Sequence, residues 1–319
     1  MKVGILTSSR ADYGIYLPLL EKLKSDSFFK LEIIVFGSHL YNQFGLTIND
    51  IQNDGYETIH KIYSFSNDDS EKGISISYAE TVMKFAKFWS ENSFDLVFCL
   101  GDRFEMCAAV QSSIPFGVKL AHLHGGETTL GAIDNIYRHQ ITLASQIHLV
   151  STKTFFSRVK DIIGDSTKIF NVGALSLDGI NEIKLPKWSD VRNLFGIPER
   201  EFILITFHPE TVDPNKNKIY VKIIYEALSE ICKKYHLIIT LSNADTMGSL
   251  YRKYSKKLKK TQPDNVTLIE NFGKHNYFSA MKASKALVGN TSSAILEAAS
   301  FGKYAVNVGK RQLGRLRSK

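Results

Sequence analysis

Three carboxylates, Asp102, Glu127 and Asp134, fall in the segments GDRFE, HLHGGE and GAID, each just beyond a short apolar run. Runs of that kind read as β-strands, so the three acids lie at neighbouring strand ends. Brought together beside Arg103 and several histidines, they would have the shifted pKa values that general acid–base chemistry requires. Taken singly, the same residues read as an Asp102–Arg103 surface pair and a Glu127 helix cap. His122 and His124 alternate in HLHGGE, so a persisting strand points both to one face. His-x-His followed by Glu could bind a metal, but it falls short of a full ligand set, and a hydrogen-bonded histidine near a cleft is the simpler reading. His208, in TFHPET, sits where a later strand meets a loop stopped by proline.

A second group of residues suits an anionic ligand. In VGNTSSAILEAASFG (288–302) a strand ends at Gly289, and Asn290–Ser293 lead into a helix expected to run to about Ser300. Free N–H groups at such a helix start attract phosphate, and Ser292 and Ser293 can add hydroxyl donors. Glu297 is one turn further on the same face, placed to accept bonds from ribose hydroxyls. SRADYG (9–14) opens the first helix with Arg10, whose planar fork suits a phosphate, and Asp12, a helix cap. It is not GxGxxG, which argues against a nicotinamide cofactor, and nothing else in the chain calls for a cofactor or metal. GSHL follows the second strand and carries His39; Arg311 and Arg315 follow the last one.

These loops need rigid elements to hold them. Short β-rich runs alternate with amphipathic stretches such as YLPLLEKLK and ISYAETVMKFAKFW, a pattern of βαβ units and parallel sheets. Strands are expected at Lys2–Leu6, Leu31–Phe36, Leu96–Leu100, Lys119–His122, Ile147–Val150 and Ile169–Val172 in the first half. In the second they are expected at Phe202–Thr206, Leu237–Thr240, Val266–Ile269, Ala286–Val288 and Tyr304–Val308. The fold class is therefore α/β, with two Rossmann-like domains at 1–180 and 181–319. The stretch Leu185–Pro198, with Pro186 and Pro198, reads as their junction. Ligands of open parallel sheets collect at the carboxyl ends of the strands, so the polar rims predict a site in a cleft that the two sheets face.

The 319 residues are 44% hydrophobic and 23% charged, a globular composition. No apolar run reaches the roughly 20 residues of a membrane span, and MKVGILTSSR reads as a first strand rather than a secretory signal. Cys99, Cys107 and Cys232 show no CxxC spacing, which fits a reducing cytosol. The net charge of +8 is concentrated in 251–260 and 310–319 without base-reading motifs, so nucleic acid is not expected as a partner.

Taken in order, SSRADYG, GSHL, GDRFE, HLHGGE with GAID and RH, VGAL, TFHPET, NADT, GNTSS, EAASFG and GKRQLGR closely resemble the UDP-hydrolysing UDP-N-acetylglucosamine 2-epimerases. The resemblance runs from the first strand to the last residue and implies the GT-B-like fold, a UDP-sugar substrate and a homodimer or homotetramer. It implies loss of the C2 proton and of UDP, giving a glucal, then hydration to N-acetylmannosamine for synthesis of a sialic-acid-type sugar. By motif, Asp102, Glu127, Asp134 and His208 are the catalytic candidates. Arg10, His39, Arg103, Ser292, Ser293, Glu297 and Arg315 are the candidates for holding the substrate. Members of the family extend past the point where this chain stops at Lys319, so the last helices are expected to be absent and some apolar surface exposed. A diacetamido-trideoxy sugar nucleotide is an alternative substrate. A GT-B glycosyltransferase and a binding protein without turnover are alternative functions.

Overall fold

The computed structural model describes residues 1–64, 68–242 and 245–316. Asn243 and Ala244 of the NADT motif, and 317–319 of the basic tail, lie outside the described residues. The chain divides into two compact units: Met1–Thr128 with Ile133–Asp178, and Thr129–Ala132 with the chain from Gly179 onward. It is an α/β protein with two parallel sheets, the two-domain GT-B-like fold.

The first unit holds β1 (Lys2–Thr7), β2 (Lys30–Val35), β3 (Thr58–Lys61), β4 (Leu96–Leu100), β5 (Leu120–Leu123), β6 (Ile147–Val150) and β7 (Ile169–Asn171). Their order is β3-β2-β1-β4-β5-β6-β7, every pair parallel. Side chains alternate across the sheet. Val3, Ile5, Ile33 and Val35 pack on one face against Tyr16, Leu20 and Leu23. Leu6, Ile34, Val97 and Cys99 pack on the other against Phe85, Phe88, Trp89 and Met106. Helices cover both faces, which is why β1 is buried from Val3 onward and reads as a continuous apolar run.

The second unit repeats the plan with β8 (Phe202–Thr206), β9 (His236–Thr240), β10 (Val266–Ile269), β11 (Ala286–Gly289) and β12 (Tyr304–Asn307), ordered β10-β9-β8-β11-β12. Phe202, Leu204, Ile238 and Leu287 point to one face, Ile203, Ile205, Leu237 and Ile239 to the other. In each sheet the strand order reverses once, between β1 and β4 and between β8 and β11. The loops that leave these four strands, with the helix starts they lead into, carry Arg10, Asp102, Arg103, His208, Ser292 and Ser293.

Two expectations need correction. The edge strand β3 has no counterpart in the sequence reading, because Thr-Ile-His-Lys is short, half polar and only partly buried. The stretch expected to be a junction is structured: Trp188–Leu194 is a helix of the second unit, and the Trp188 ring stacks on Phe202 at 4.8 Å. The lysine-rich 251–260 lies in the helix Gly248–Thr261, which buries Tyr251 and Leu258 and exposes Lys253, Lys256, Lys257 and Lys260, a solvated face. Among the described residues no helix is long and apolar enough to cross a membrane. All three cysteines are buried and free, and burial pushes the Cys99 thiol up to about 12, so it is inert filling.

Candidate active site

In the first unit the loops that carry Asp102 and Glu127 are tied together by Arg138, a residue the sequence did not mark as functional. Arg138 lies in the helix Asp134–Ala144 and is 2% exposed. Its Nη2 donates to the Asp102 carboxylate and its Nη1 to the main-chain carbonyl of Glu127 at 2.6 Å. One buried guanidinium thus joins the loop after β4 to the loop after β5, using the planar fork that suits arginine to the task. Asp134 opens the same helix four residues earlier, so it and Arg138 share a helix face, and its charge favours the helix start.

Glu127 is 3% exposed. Its Oε1 accepts from the Ser151 hydroxyl at 3.1 Å and from His124 Nδ1 at 2.6 Å. The histidine pair does not share a face as a continuing strand would require. β5 ends at Leu123, and His124 takes a left-handed conformation with φ 63°. His122 is a frame residue: its Nε2 donates to the Gly101 carbonyl at 2.9 Å and its Nδ1 accepts from Thr142 at 3.1 Å. Burial drives its pKa down to about 3, with the charges of His148 and Arg138 adding to the shift, so it is neutral. No cluster of three His, Cys, Asp or Glu side chains among the described residues is arranged to hold a metal ion.

The expected Asp102–Arg103 pair is not formed. Arg103 instead binds Glu105 through two bonds, 3.1 Å from Nε and 2.9 Å from Nη2, and Glu105 is 1% exposed. With Asp102 bound to Arg138, each acid of the GDRFE segment has its own arginine.

The loop after β1 is organised by Asp12. Its carboxylate accepts from Thr7 Oγ1 at 2.6 Å, from the N–H and hydroxyl of Ser8 at 2.9 and 2.8 Å, and from the N–H of Ser9 at 3.1 Å. Burial raises the pKa of this carboxyl, but the His39 imidazole and the Thr7 and Ser8 donors outweigh it and hold the group below the usual range. Arg10 is the first residue of the helix that Asp12 caps, and it is half-buried. His39, by contrast, is 1% exposed with both ring nitrogens engaged, by Thr7 at 2.9 Å and Thr47 at 2.7 Å. It braces the loop from within rather than presenting an edge to a ligand.

In the second unit the rim is built on Asn290. Its side chain accepts from the His208 N–H at 2.7 Å and donates to the His208 carbonyl at 2.8 Å, a two-bond clamp between the loops after β8 and β11. Gly289 makes this possible: a Cβ there would lie 1.8 Å from the Thr206 carbonyl oxygen. The His208 imidazole faces Asp245 at 3.7 Å, and Asp245 also faces Arg311 at 3.6 Å. Arg311 Nε donates to the Pro209 carbonyl at 3.0 Å, Lys310 N–H to Glu210 at 2.7 Å, and Gln312 to the Asn290 carbonyl at 2.8 Å. The segment 310–315 is thereby laced to both loops. Sequence reasoning missed Asn290, Glu210 and Asp245; the Asn in GNTSS and the Asp in NADT were the available signals.

The helix expected after GNTSS is shorter than its residues suggest. Its α-helical part is Ser293–Leu296, followed by a 3₁₀ turn at Ala298–Phe301 that Gly302 closes with φ 63°. One turn carries little macrodipole, so the groups this turn could offer an anion are the Ser292 and Ser293 hydroxyls and main-chain N–H groups. Ser292 and Ser293 are half-buried and Glu297 buried, all within that turn. Arg315 is half-buried beyond Gln312, whose carbonyl accepts its N–H at 3.3 Å.

A family model described as UDP-N-acetylglucosamine 2-epimerase matches residues 21–319 of this chain. The chain is 31% identical over 318 residues to the GDP/UDP-N,N'-diacetylbacillosamine 2-epimerase (hydrolyzing) of Campylobacter jejuni, covering 99% of this chain and 82% of that protein. It is 30% identical over 316 residues to the polysialic acid biosynthesis protein P7 of Escherichia coli, covering 99% and 80%. Among solved structures, the UDP-GlcNAc 2-epimerase of Neisseria meningitidis bound to UDP-GlcNAc has a TM-score of 0.78 at 17% identity, covering 96% of this chain and 82% of that one. Staphylococcus aureus MnaA with UDP has a TM-score of 0.77 at 16% identity, covering 98% and 80%. At these identities the two structures speak to the fold.

Proposed function

Given that the chain belongs to the UDP-N-acetylglucosamine 2-epimerase family, we propose that it hydrolyses a UDP-2-acetamido sugar with inversion at C2. A base takes the C2 proton, the C2–H electron pair becomes the C1=C2 double bond, and the C1–O bond breaks with its electrons leaving on UDP. Water then adds to the glucal, its hydroxyl to C1 and a proton to C2 from the opposite face. Free N-acetylmannosamine and UDP are the products. The observation that carries this reading is that one buried Arg138 bonds both the Asp102 carboxylate and the Glu127 main chain, with Asp134 one turn before it on the same helix. Two proton transfers on opposite faces of a sugar need more than one carboxyl group held in fixed geometry. Asp102, Glu127 and Asp134 supply those groups.

Arg10, Ser292, Ser293 and Arg315 are the groups for the departing diphosphate, where donors already in place stabilise the charge that develops, and His208 joins the three acids as a catalytic group. Glu297 is the ribose acceptor. Arg103, locked on Glu105, holds the start of the helix Phe104–Ser113 behind Asp102. His39 serves the Asp12 loop. A second reading of the sugar, a UDP-diacetamido-trideoxyhexose, is favoured by the 31% identity to the Campylobacter jejuni enzyme. The name of the Escherichia coli relative supports a sialic-acid-type product.

Proton NMR in heavy water with each sugar nucleotide in turn tests the proposal. The expected outcome is UDP plus a free 2-epimerised sugar carrying deuterium at C2, with the faster substrate naming the sugar. Release of UDP with an unexchanged, unepimerised sugar would replace this reading with plain transfer to water.

A further inference from the structure

We propose that His124 is a positioning residue for Glu127: as a neutral imidazole protonated on Nδ1, it holds the Glu127 carboxylate in place and in its ionised form. This rests on the reading of Glu127 as an acid–base group of the site. Two features of His124 bear on this role, and the first of them, its backbone, sets it apart from the other histidines. It is one of the three non-glycine residues with positive φ among those described, at 63°, a conformation uncommon for an L-residue. Its Nε2 is also buried with no hydrogen-bond partner among the described residues. Histidines 122 and 39 in the same unit have partners for both nitrogens, whereas His148 in that unit and His236 share with His124 one buried ring nitrogen that lacks a partner among the described residues.

Both features are explained if the residue is kept for its other nitrogen. At 2.6 Å from the Glu127 carboxyl oxygen, Nδ1 is placed to carry the proton and donate to an ionised carboxylate. An imidazolium would add a charged Nε2–H with nothing to accept it, so the pocket selects the neutral Nδ1–H tautomer. A neutral donor steadies a carboxylate without placing a second charge beside the reaction. The left-handed turn at His124 is what brings Nδ1 back onto Glu127, three residues on. Its N–H bonds to the Leu149 carbonyl at 3.0 Å and anchors the turn to β6.

The charged and titratable neighbours come from every side. Arg138 from the helix Asp134–Ala144 donates to the Glu127 carbonyl and to Asp102, Arg158 from the helix Lys153–Ile163 donates to the Gly126 carbonyl at 2.7 Å, and His122 and His148 stand on β5 and β6. The two arginines reach main-chain carbonyls of this loop rather than the Glu127 carboxylate. The His124 bond is made to the carboxylate oxygen itself, and so bears directly on whether that oxygen takes up a proton.

The test pairs His124→Phe with His124→Asn. Asparagine tolerates positive φ, and its amide can donate where Nδ1 does; phenylalanine keeps the volume and loses the donor. Without the donor the ionised form of Glu127 is less favoured, so the acid limb of the kcat–pH profile moves upward. For His124→Phe we expect kcat near neutral pH to fall at least tenfold, the limb to rise by about one pH unit and KM to change less than threefold. His124→Asn should return the limb to its wild-type position. A wild-type profile in His124→Phe, or a His124→Asn profile shifted like that of His124→Phe, overturns the proposal. Nitrogen-15 NMR of the imidazole in the wild-type protein tests the same point without turnover. The Nδ1–H tautomer at pH 7 supports the proposal, and Nε2–H or imidazolium defeats it. If the wild type releases no epimerised sugar, the functional reading has failed, and the tautomer still judges His124.

Discussion

At the residue scale the site turns on how buried charges are matched. Asp102 has an arginine beside it in sequence, yet its carboxylate bonds to Arg138, 36 residues away. Arg103 is already held by the more deeply buried Glu105. The Asp102→Asn variant would take this carboxylate away from the Arg138 guanidinium, which is 2% exposed. Removing one member of a buried pair costs about 3 kcal/mol, which urea unfolding would register, and turnover should fall by a factor of about 100 or more. Glu127→Gln should behave differently: UDP binding, measured by calorimetry, stays, while turnover falls by about 100-fold to 10,000-fold. Near-normal rates in Glu127→Gln would remove this residue from the acid–base cluster.

At the element scale the loops after β8 and β11 are held together by one small residue and one amide. Gly289 admits the Thr206 carbonyl where a side chain would collide, and Asn290 then clamps both polar groups of the His208 backbone. Gly289→Ala should therefore lower the stability of the second unit by more than about 3 kcal/mol, near the top of the range for single substitutions, and abolish UDP binding. Thermal unfolding followed with and without UDP checks both parts. If the variant melted like the wild type, the close approach of β11 to the β8 loop would not matter. The brevity of the helix at Ser293–Leu296 belongs to the same scale. Its residues are good helix formers, but the chain must turn at Gly302 and return as β12 beside β11, so the crossover leaves room for one α-turn.

At the scale of the whole molecule, several histidines are buried in neutral form. His122 has its pKa pushed down to about 3 and His236 to about 4, in both cases chiefly by burial. In the unfolded chain a histidine takes up its proton near pH 6.5. Between that value and the folded ones the unfolded state binds more protons, so stability falls as the pH drops below about 6.5. Each such group contributes up to about 1.4 kcal/mol per pH unit, and the loss levels off below the folded pKa. Melting temperatures should therefore decline steadily from pH 7 to pH 4. A flat profile over that interval would show that these histidines are solvated or protonated in the folded state.

The amino-acid sequence by itself determined the α/β class, the parallel sheets and most strand positions, because strands covered on both faces must be apolar runs and their polar ends must be loops. It also marked Asp102, Glu127, Asp134, His208 and the Ser292–Ser293 turn, since chemistry at strand ends needs those residue types. Partners were what only the tertiary structure decided. Arg138 joins Asp102 to the Glu127 loop, Asn290 clamps His208, and Thr7 and Thr47 take up His39. The edge strand β3 and the helix Trp188–Leu194 were likewise settled by packing. The physical reason is one of distance. Local pattern reports whether a residue is apolar or polar and where the chain turns, whereas the partner of a buried charge is set by which side chains from distant segments share the same dry volume.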